Sequence, residues 1–301
     1  MVKRLLDTVP EEIFNMTKDE LLKSIKKCEG RTVVSEVIGE NSLFRDVSNA
    51  EVAVSFGADL LLLNLYDINN SYFKNVPDDS QLTLVEKIKE LTGRPVGVNF
   101  EPVPEEIVEK IDFPQGRLAV RENAKKAVEA GFDFLVITAN PNTGVTNQKI
   151  LEAIENINKK VGDKLIIMAG KMHMAGYNEE LLDEKLIKSM IEAGSDVILL
   201  PAPGTVPGID LQDNKKIIKL IHKEGKMVMN TIGTSQESAD QDTIKEIALK
   251  SKMAGADIHH IGDAGYNGIA LPENIMALSK TIRGRRHTYR RMALSINRSK
   301  E

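Results

Sequence analysis

Short apolar runs recur along the chain, and each is followed by a longer segment in which apolar residues return at helical spacing. The runs are TVVSEV, DLLLLNL, PVGVNF, FLVITAN, KLIIMAGK, DVILLPA, KMVMNTI and DIHHIGD. Between them lie stretches such as TLVEKIKELTG, AVRENAKKAVEAG, TNQKILEAIENINKKVG, DEKLIKSMIEAG and DNKKIIKLIHKEG, whose apolar positions fall on one helical face. Strands alternating with helices in this way are parallel and joined by crossovers. Glycines close the units: Gly30, Gly57, Gly93, Gly131, Gly162, Gly194, Gly225 and Gly255 stand 27 to 38 residues apart, and each suits the left-handed position that ends a helix. The phrases FGAD, AGFD, AGSD and AGAD repeat in the same register. Eight units without a break in composition predict an α/β fold, a single closed (β/α)8 barrel rather than a doubly wound sheet.

The pattern assigns residues 31–283 to the barrel and all of 1–301 to one domain. Residues 1–30 read as a helical cap, with Thr17-Lys18-Asp19-Glu20 as a capping box that opens a helix over the barrel floor. Residues 284–301 read as an extension of the eighth helix past Gly284. Two long loops without periodicity, Tyr66 to Leu82 and Glu101 to Gly116, are the expected lids.

Alternation along each strand sends one parity into the barrel. Taking the parity that ends in a polar residue places Glu36, Asn64, Asn99, Glu101, Thr138, Asn140, Lys171, His173, Asn230 and Asp263 around the carboxyl-terminal mouth, where such barrels carry their chemistry. Lys171 reads as an electrophile or charge-neutralising cation, Glu101 or Glu36 as a general base, and His173 as a proton carrier. The asparagines suit a ligand dense in hydroxyl or carbonyl groups. Of the adjacent histidines, His259 is expected low in the core and His260 toward a helix. Glu36, Glu101, Asp67 and Asp263 could also bind a hard cation such as Mg2+, although no tight ligand spacing supports one.

The loops after strands seven and eight carry Gly233-Thr234-Ser235 and Gly262-Asp263-Ala264-Gly265. Small residues let backbone N–H groups approach an anion, so these loops are read as a phosphate cup. The carboxyl of Asp263 inside that cup counts against the reading.

Composition narrows the picture. Cys28 is the only cysteine, which excludes an intrachain disulfide or a multi-cysteine zinc site and fits a cytoplasmic protein. The chain has 301 residues with net charge −4; this argues against nucleic acid as partner, and the basic stretch Arg283 to Lys300 is expected to pack on the barrel or on a second copy in a homo-oligomer. No apolar run is long enough for a membrane span. The motifs GxxxxGK[ST], HExxH and GxSxG are absent, and no GxGxxG follows the first strand.

The segments GKMHMAGYN, LLPAPGTVPG, NTIGTSQES and HHIGDAGYNGIALPENI resemble an uncharacterised bacterial TIM-barrel family sometimes labelled haloacid dehalogenase-like. The resemblance covers nearly the whole chain and implies the barrel, with no activity to carry over; the dehalogenase motif DxDx[TV] is missing. More distantly, loops seven and eight resemble those of phosphate-binding barrels, and the layout resembles phosphoenolpyruvate mutase and isocitrate lyase barrels without the lyases' cysteine signature. The leading expectation is a lyase, aldolase or isomerase acting on a small phosphorylated, sugar-like metabolite. Its rivals are a divalent-metal lyase or mutase, and a non-catalytic ligand-binding or assembly protein.

Overall fold

All eight apolar runs form strands of one parallel sheet that closes on itself. The computed structural model describes residues 2–173 and 179–299. The strands are β1 (Thr32–Ile38), β2 (Leu60–Asn64), β3 (Val96–Phe100), β4 (Phe134–Ile137), β5 (Ile166–Gly170), β6 (Val197–Pro201), β7 (Met227–Ile232) and β8 (Ile258–Ile261). Each is followed by an outer helix: α1 (Asn49–Ser55), α2 (Leu84–Thr92), α3 (Arg121–Glu129), α4 (Asn147–Val161), α5 (Glu184–Ala193), α6 (Leu211–Lys223), α7 (Gln241–Ala254) and α8 (Pro272–Ala293). This is the (β/α)8 barrel that the periodicity predicts. Met174 to Asn178, within the GKMHMAGYN segment, and Lys300 and Glu301 of the C-terminal extension lie outside the described residues.

The interior is apolar over most of its height. Val34, Leu60, Leu62, Phe134, Val136, Ile166, Met168, Val197, Leu199, Met227, Met229 and Ile258 pack together inside the sheet. Gly97 makes room for the Phe134 ring, which a methyl at that position would meet at 2.1 Å. Leu5, Leu6, Ile13, Leu21, Ile25 and Cys28 join the same cluster and plug the floor. The helix Lys18–Lys26 carries part of this plug, started by Thr17, whose side chain accepts from Glu20 N. The opposite parity, including Val33, Leu61, Val98, Leu135, Ile167, Ile198 and Val228, packs beneath the helices.

The AGxD-type phrases have a common structural cause. In each, the glycine takes a positive φ at the end of a helix (Gly57 109°, Gly131 89°, Gly194 118°, Gly255 107°), a conformation that costs a residue with a Cβ energy. The following aspartate then grips the preceding strand. Asp59 N donates to Val33 O while its carboxylate accepts from Val33 N, and the same double contact joins Asp133 to Val96, Asp196 to Ile167 and Asp257 to Val228. Each aspartate also meets a cation or histidine: Arg283 and Arg291, Lys89, Lys18, and His222 respectively.

The basic C-terminal stretch packs on the barrel's own base. Gly284, at φ 73°, kinks α8, and beyond it Arg290 donates to Leu6 O and Asp7 O while Arg291 reaches Asp59 at 2.8 Å. Burial pushes the Asp59 carboxyl up, but Arg283 and Arg291 outweigh that and hold it below its usual range. Of the two expected lids, the second contains a helix, Glu105–Ile111, started by Pro104 and acidic in its first turn. Among the described residues no helix is long and apolar enough to cross a membrane.

Asp59→Ala, which strands two buried guanidinium groups, is expected to cost about 3–5 kcal/mol in urea unfolding. Asp257→Ala, whose histidine partner is exposed, is expected to cost clearly less. Equal losses would show that the aspartates act through the strand contact alone.

Candidate active site

Above the apolar layers the barrel opens into a cavity of about 380 Å3. Its wall begins with Glu36 from β1, Asn64 from β2, Asn99 from β3, and Thr138, Ala139 and Asn140 just past β4. Met172 and His173 follow β5, Gly233, Thr234, Ser235 and Glu237 follow β7, and Asp263 and Ala264 follow β8. Asn64 organises one side. Its Nδ2 donates to Asp263 Oδ2 (2.8 Å), and its Oδ1 accepts from Asn99 Nδ2 (2.9 Å), Leu65 N (2.9 Å) and, at 3.4 Å, Asn140 Nδ2. Three acceptor-capable atoms of this wall, Asn99 Oδ1, Thr138 Oγ1 and Glu237 Oε2, are buried without a hydrogen-bond partner among the described residues. Buried polar atoms are ordinarily satisfied, so these three are unpaired acceptors that a ligand's donors could reach after a local side-chain movement.

The acids here are far from their solution behaviour. Burial, with the nearby charge of Glu101, pushes the Glu36 carboxyl up to about 8. Burial lifts Glu237 to about 7, and burial with the charge of Glu36 lifts Asp263 to about 7. His260 lies fully buried beneath them, its Nε2 3.1 Å from Glu36 Oε2, and burial lowers it to about 4. Burial and then the Lys171 charge lower His173 as well. Near neutral pH the site therefore holds carboxyl groups poised between their two forms beside uncharged imidazole, the condition for general acid and base work.

Several sequence expectations are corrected. Lys171 follows the outward parity of Ile167 and Ala169, because Ile166 and Met168 are the inward residues of β5; its ammonium is ion-paired with Glu179 and lines no part of the cavity. Asn230 also faces outward, donating to Asn214 Oδ1 of α6 at 2.8 Å. Glu101 is held by Arg117 at 2.7 Å and by Asn140 N at 3.0 Å, so its oxygens are engaged at the cavity's margin. The histidines are exchanged: His259 turns outward to Gly30 O (3.2 Å), and His260 shares the inward parity of Ile258.

The residues of the expected phosphate cup divide. Gly233, Thr234, Ser235, Asp263 and Ala264 line the cavity, but Gly262 N is spent on Ile232 O and a methyl on Gly262 would lie 2.3 Å from Glu237 Oε1. Gly265 packs against the backbone of Ile269 to Leu271. The glycine at 262 thus makes room for a carboxyl, and no lysine or arginine lines the cavity among the described residues. No three described His, Cys, Asp or Glu side chains converge to ligate a metal. The described residues therefore offer no three-ligand protein cage, although Mg2+ is commonly held by one or two carboxylates and water.

Glu237 was not anticipated, since it comes from a loop to which strand alternation does not apply. The available signal was the glycine at 262, beside the space it enters.

The chain belongs to the family described as Domain of unknown function (DUF7916), which matches residues 6–298. The haloacid dehalogenase-like label finds no support in that match. The chain is also 26% identical over 183 residues to tRNA sulfurtransferases of Shigella dysenteriae serotype 1 (strain Sd197) and Escherichia coli O157:H7, covering 58% of this chain and 36% of theirs. It thus spans about a third of the length of the curated relatives it matches. Among solved structures it is similar to a candidate lyase/mutase from Burkholderia cenocepacia J2315, with TM-score 0.50 and 15% identity over 82% of this chain and 83% of that one. A 2,3-dimethylmalate lyase of the PEP mutase/isocitrate lyase superfamily gives TM-score 0.49 and 14% identity, over 82% and 81% of the two chains. The likeness to the first of these, at 15% identity, shows the barrel fold alone.

A carboxyl whose value rises on folding keeps a proton that the unfolded chain gives up, so stability falls as pH rises between the two values. For Glu36 that window runs from 4.5 to about 8, and Glu237 and Asp263 act with the same sign up to about 7. His260, lowered from 6.5 to about 4, loses stability only as pH falls through that interval. Between pH 6.5 and 8 the carboxyls act together with His222, which its hydrogen bond to Asp257 raises above its ordinary value and which therefore has the same sign, and the unfolding free energy of the ligand-free protein is expected to fall, by at most about 1.4 kcal/mol per pH unit for each buried carboxyl. Glu36→Gln is expected to flatten that slope; an unchanged slope would place Glu36 outside the buried acid set. Lys171→Met is expected to lower stability while leaving ligand-induced stabilisation intact.

Proposed function

We propose that the protein is a proton-transfer enzyme, a lyase or isomerase, acting at the barrel mouth on a small uncharged metabolite rich in hydroxyl groups. The observation that carries this reading is the convergence of Glu36, Glu237 and Asp263, raised to between about 7 and 8, on one cavity with open acceptors at Asn99 and Thr138. Ligand hydroxyls would donate to Asn99 Oδ1 and Thr138 Oγ1. A protonated carboxyl supplies the acid and an ionised one the base, and ionising one of these acids raises the others.

The sugar-like part of the sequence expectation is kept and the phosphate is dropped. An anion would enter among carboxyls with no cation lining the wall, since Lys171 and Arg117 are each engaged by a glutamate. The tRNA chemistry in the relatives' name is not extended to this chain: Arg283, Arg290 and Arg291 are occupied by Asp59 and backbone carbonyls. In this reading the mechanism needs no directly ligated metal.

Thermal-shift screening of polyols, sugars and hydroxy compounds beside their phosphate esters tests the reading. The parent compounds are expected to stabilise the protein, by about 2.7 kcal/mol at roughly 100 times Kd, without dependence on a chelator. Thr138→Val should weaken binding about tenfold. In D2O a bound substrate should take up deuterium at carbon, and Glu237→Gln or Glu36→Gln should abolish that uptake. Hits confined to phosphate esters, or exchange lost on chelation, would overturn the proposal.

A further inference from the structure

The functional reading gives His260 no task, although the ring sits directly beneath the acids. It meets Glu36 from β1, the charges of Glu237 from the loop after β7 and of Asp263 from the loop after β8 act on it, and Glu101 just past β3 acts on Glu36. Nε2 lies 3.1 Å from Glu36 Oε2. The other ring nitrogen, Nδ1, is buried with no partner among the described residues, and so is Glu237 Oε2. These two open atoms are complementary: if the Glu36 hydroxyl donates to Nε2, Nδ1 carries hydrogen and lacks an acceptor, while an ionised Glu237 lacks a donor.

We propose that His260 relays a proton between Glu36 and Glu237 across the cavity floor. Glu36 passes its proton to Nε2 as Nδ1 passes its own to Glu237 Oε2, once a side-chain rotation brings these two buried, unpaired atoms together. One O–H and one N–H bond break, one of each forms, the single negative charge moves from Glu237 to Glu36, and the ring ends in its other tautomer. Burial and the shortage of counter-charge disfavour an imidazolium stage, since burial holds the ring well below its ordinary range. Such a relay would let one carboxyl take a proton from the ligand, the other deliver one, and the pair reset between turnovers. The proposal rests on the reading of the mouth as a proton-transfer site, and it makes His260 a positioning residue that need not touch the ligand.

The test is nitrogen-15 NMR of ligand-free, histidine-labelled protein, with His260→Gln used to assign the ring. As pH rises through the Glu36 titration, the ring proton is expected to move from Nδ1 to Nε2, seen as an exchange of the protonated and unprotonated nitrogen signals. In Glu36→Gln the tautomer should stop responding to pH over that range, and Glu237→Gln should displace the midpoint. A carboxyl carbon-13 titration of the unmodified sequence, in which Glu36 and Glu237 should titrate as a coupled pair, serves if a variant fails to fold. A ring fixed in one tautomer from about pH 5 to about pH 9, or a switch indifferent to Glu237→Gln, overturns the relay. Because no ligand is needed, a failed ligand screen counts against the functional reading and a fixed tautomer against the relay.

Discussion

Four aspartates hold this barrel in register. Asp59, Asp133, Asp196 and Asp257 each bind both backbone groups of one residue on the preceding strand, locking β1 to β2, β3 to β4, β5 to β6 and β7 to β8 at their amino-terminal ends. A slip of one residue in any pair would turn that strand's side chains to the other face. What stands at the mouth is thus decided partly at the floor, on the far side of the apolar layers. Asp59 carries the heaviest share because Arg283 and Arg291 bind it from the C-terminal helix, tying that helix and the first two strands to one buried carboxylate.

The apolar layers that follow determine the chemistry above them. Leu62, Val136, Met168, Leu199 and Met229 fill the barrel beneath Glu36 and His260, so ionising those groups sacrifices solvation that no guanidinium or ammonium restores. The nearest cations are already committed, Arg117 to Glu101 and Lys171 to Glu179. Dry surroundings and absent counter-charge push carboxyls up and imidazole down together. This combination suits a cavity that moves protons on an uncharged ligand better than one that clamps an anion.

The glycines at the mouth illustrate how one residue type can signal two opposite environments. A glycine beside a loop can open a path for backbone amides toward phosphate, or it can clear space for a neighbouring side chain. At Gly262 the second is realised, since the Glu237 carboxyl occupies the space. The consequence is a reversal of the charge that the pocket favours.

The sequence by itself determined the element order, the closed parallel barrel, the helical starts such as Thr17, and the carboxyl-terminal mouth as the place where polar residues collect. It also assigned the inward faces of β1 to β4, bringing Glu36, Asn64, Asn99 and Thr138 to the cavity. At β5, β7 and β8 the rule of choosing the polar-ending face gave Lys171, Asn230 and His259, which the structure turns away, together with His173 and Asp263, which lie past the strand ends and still line the cavity. The reason is that both faces of a parallel barrel strand are buried, one in the barrel and one under helices, so hydrophobicity does not tell them apart. Only closure of the sheet, with Thr32 opposite Ile258 and Ser35 opposite Ile261, decides the phase of each strand and sets His260 beside Glu36. Glu237 lay beyond any local pattern, because a loop residue's position depends on what its neighbouring strands leave open.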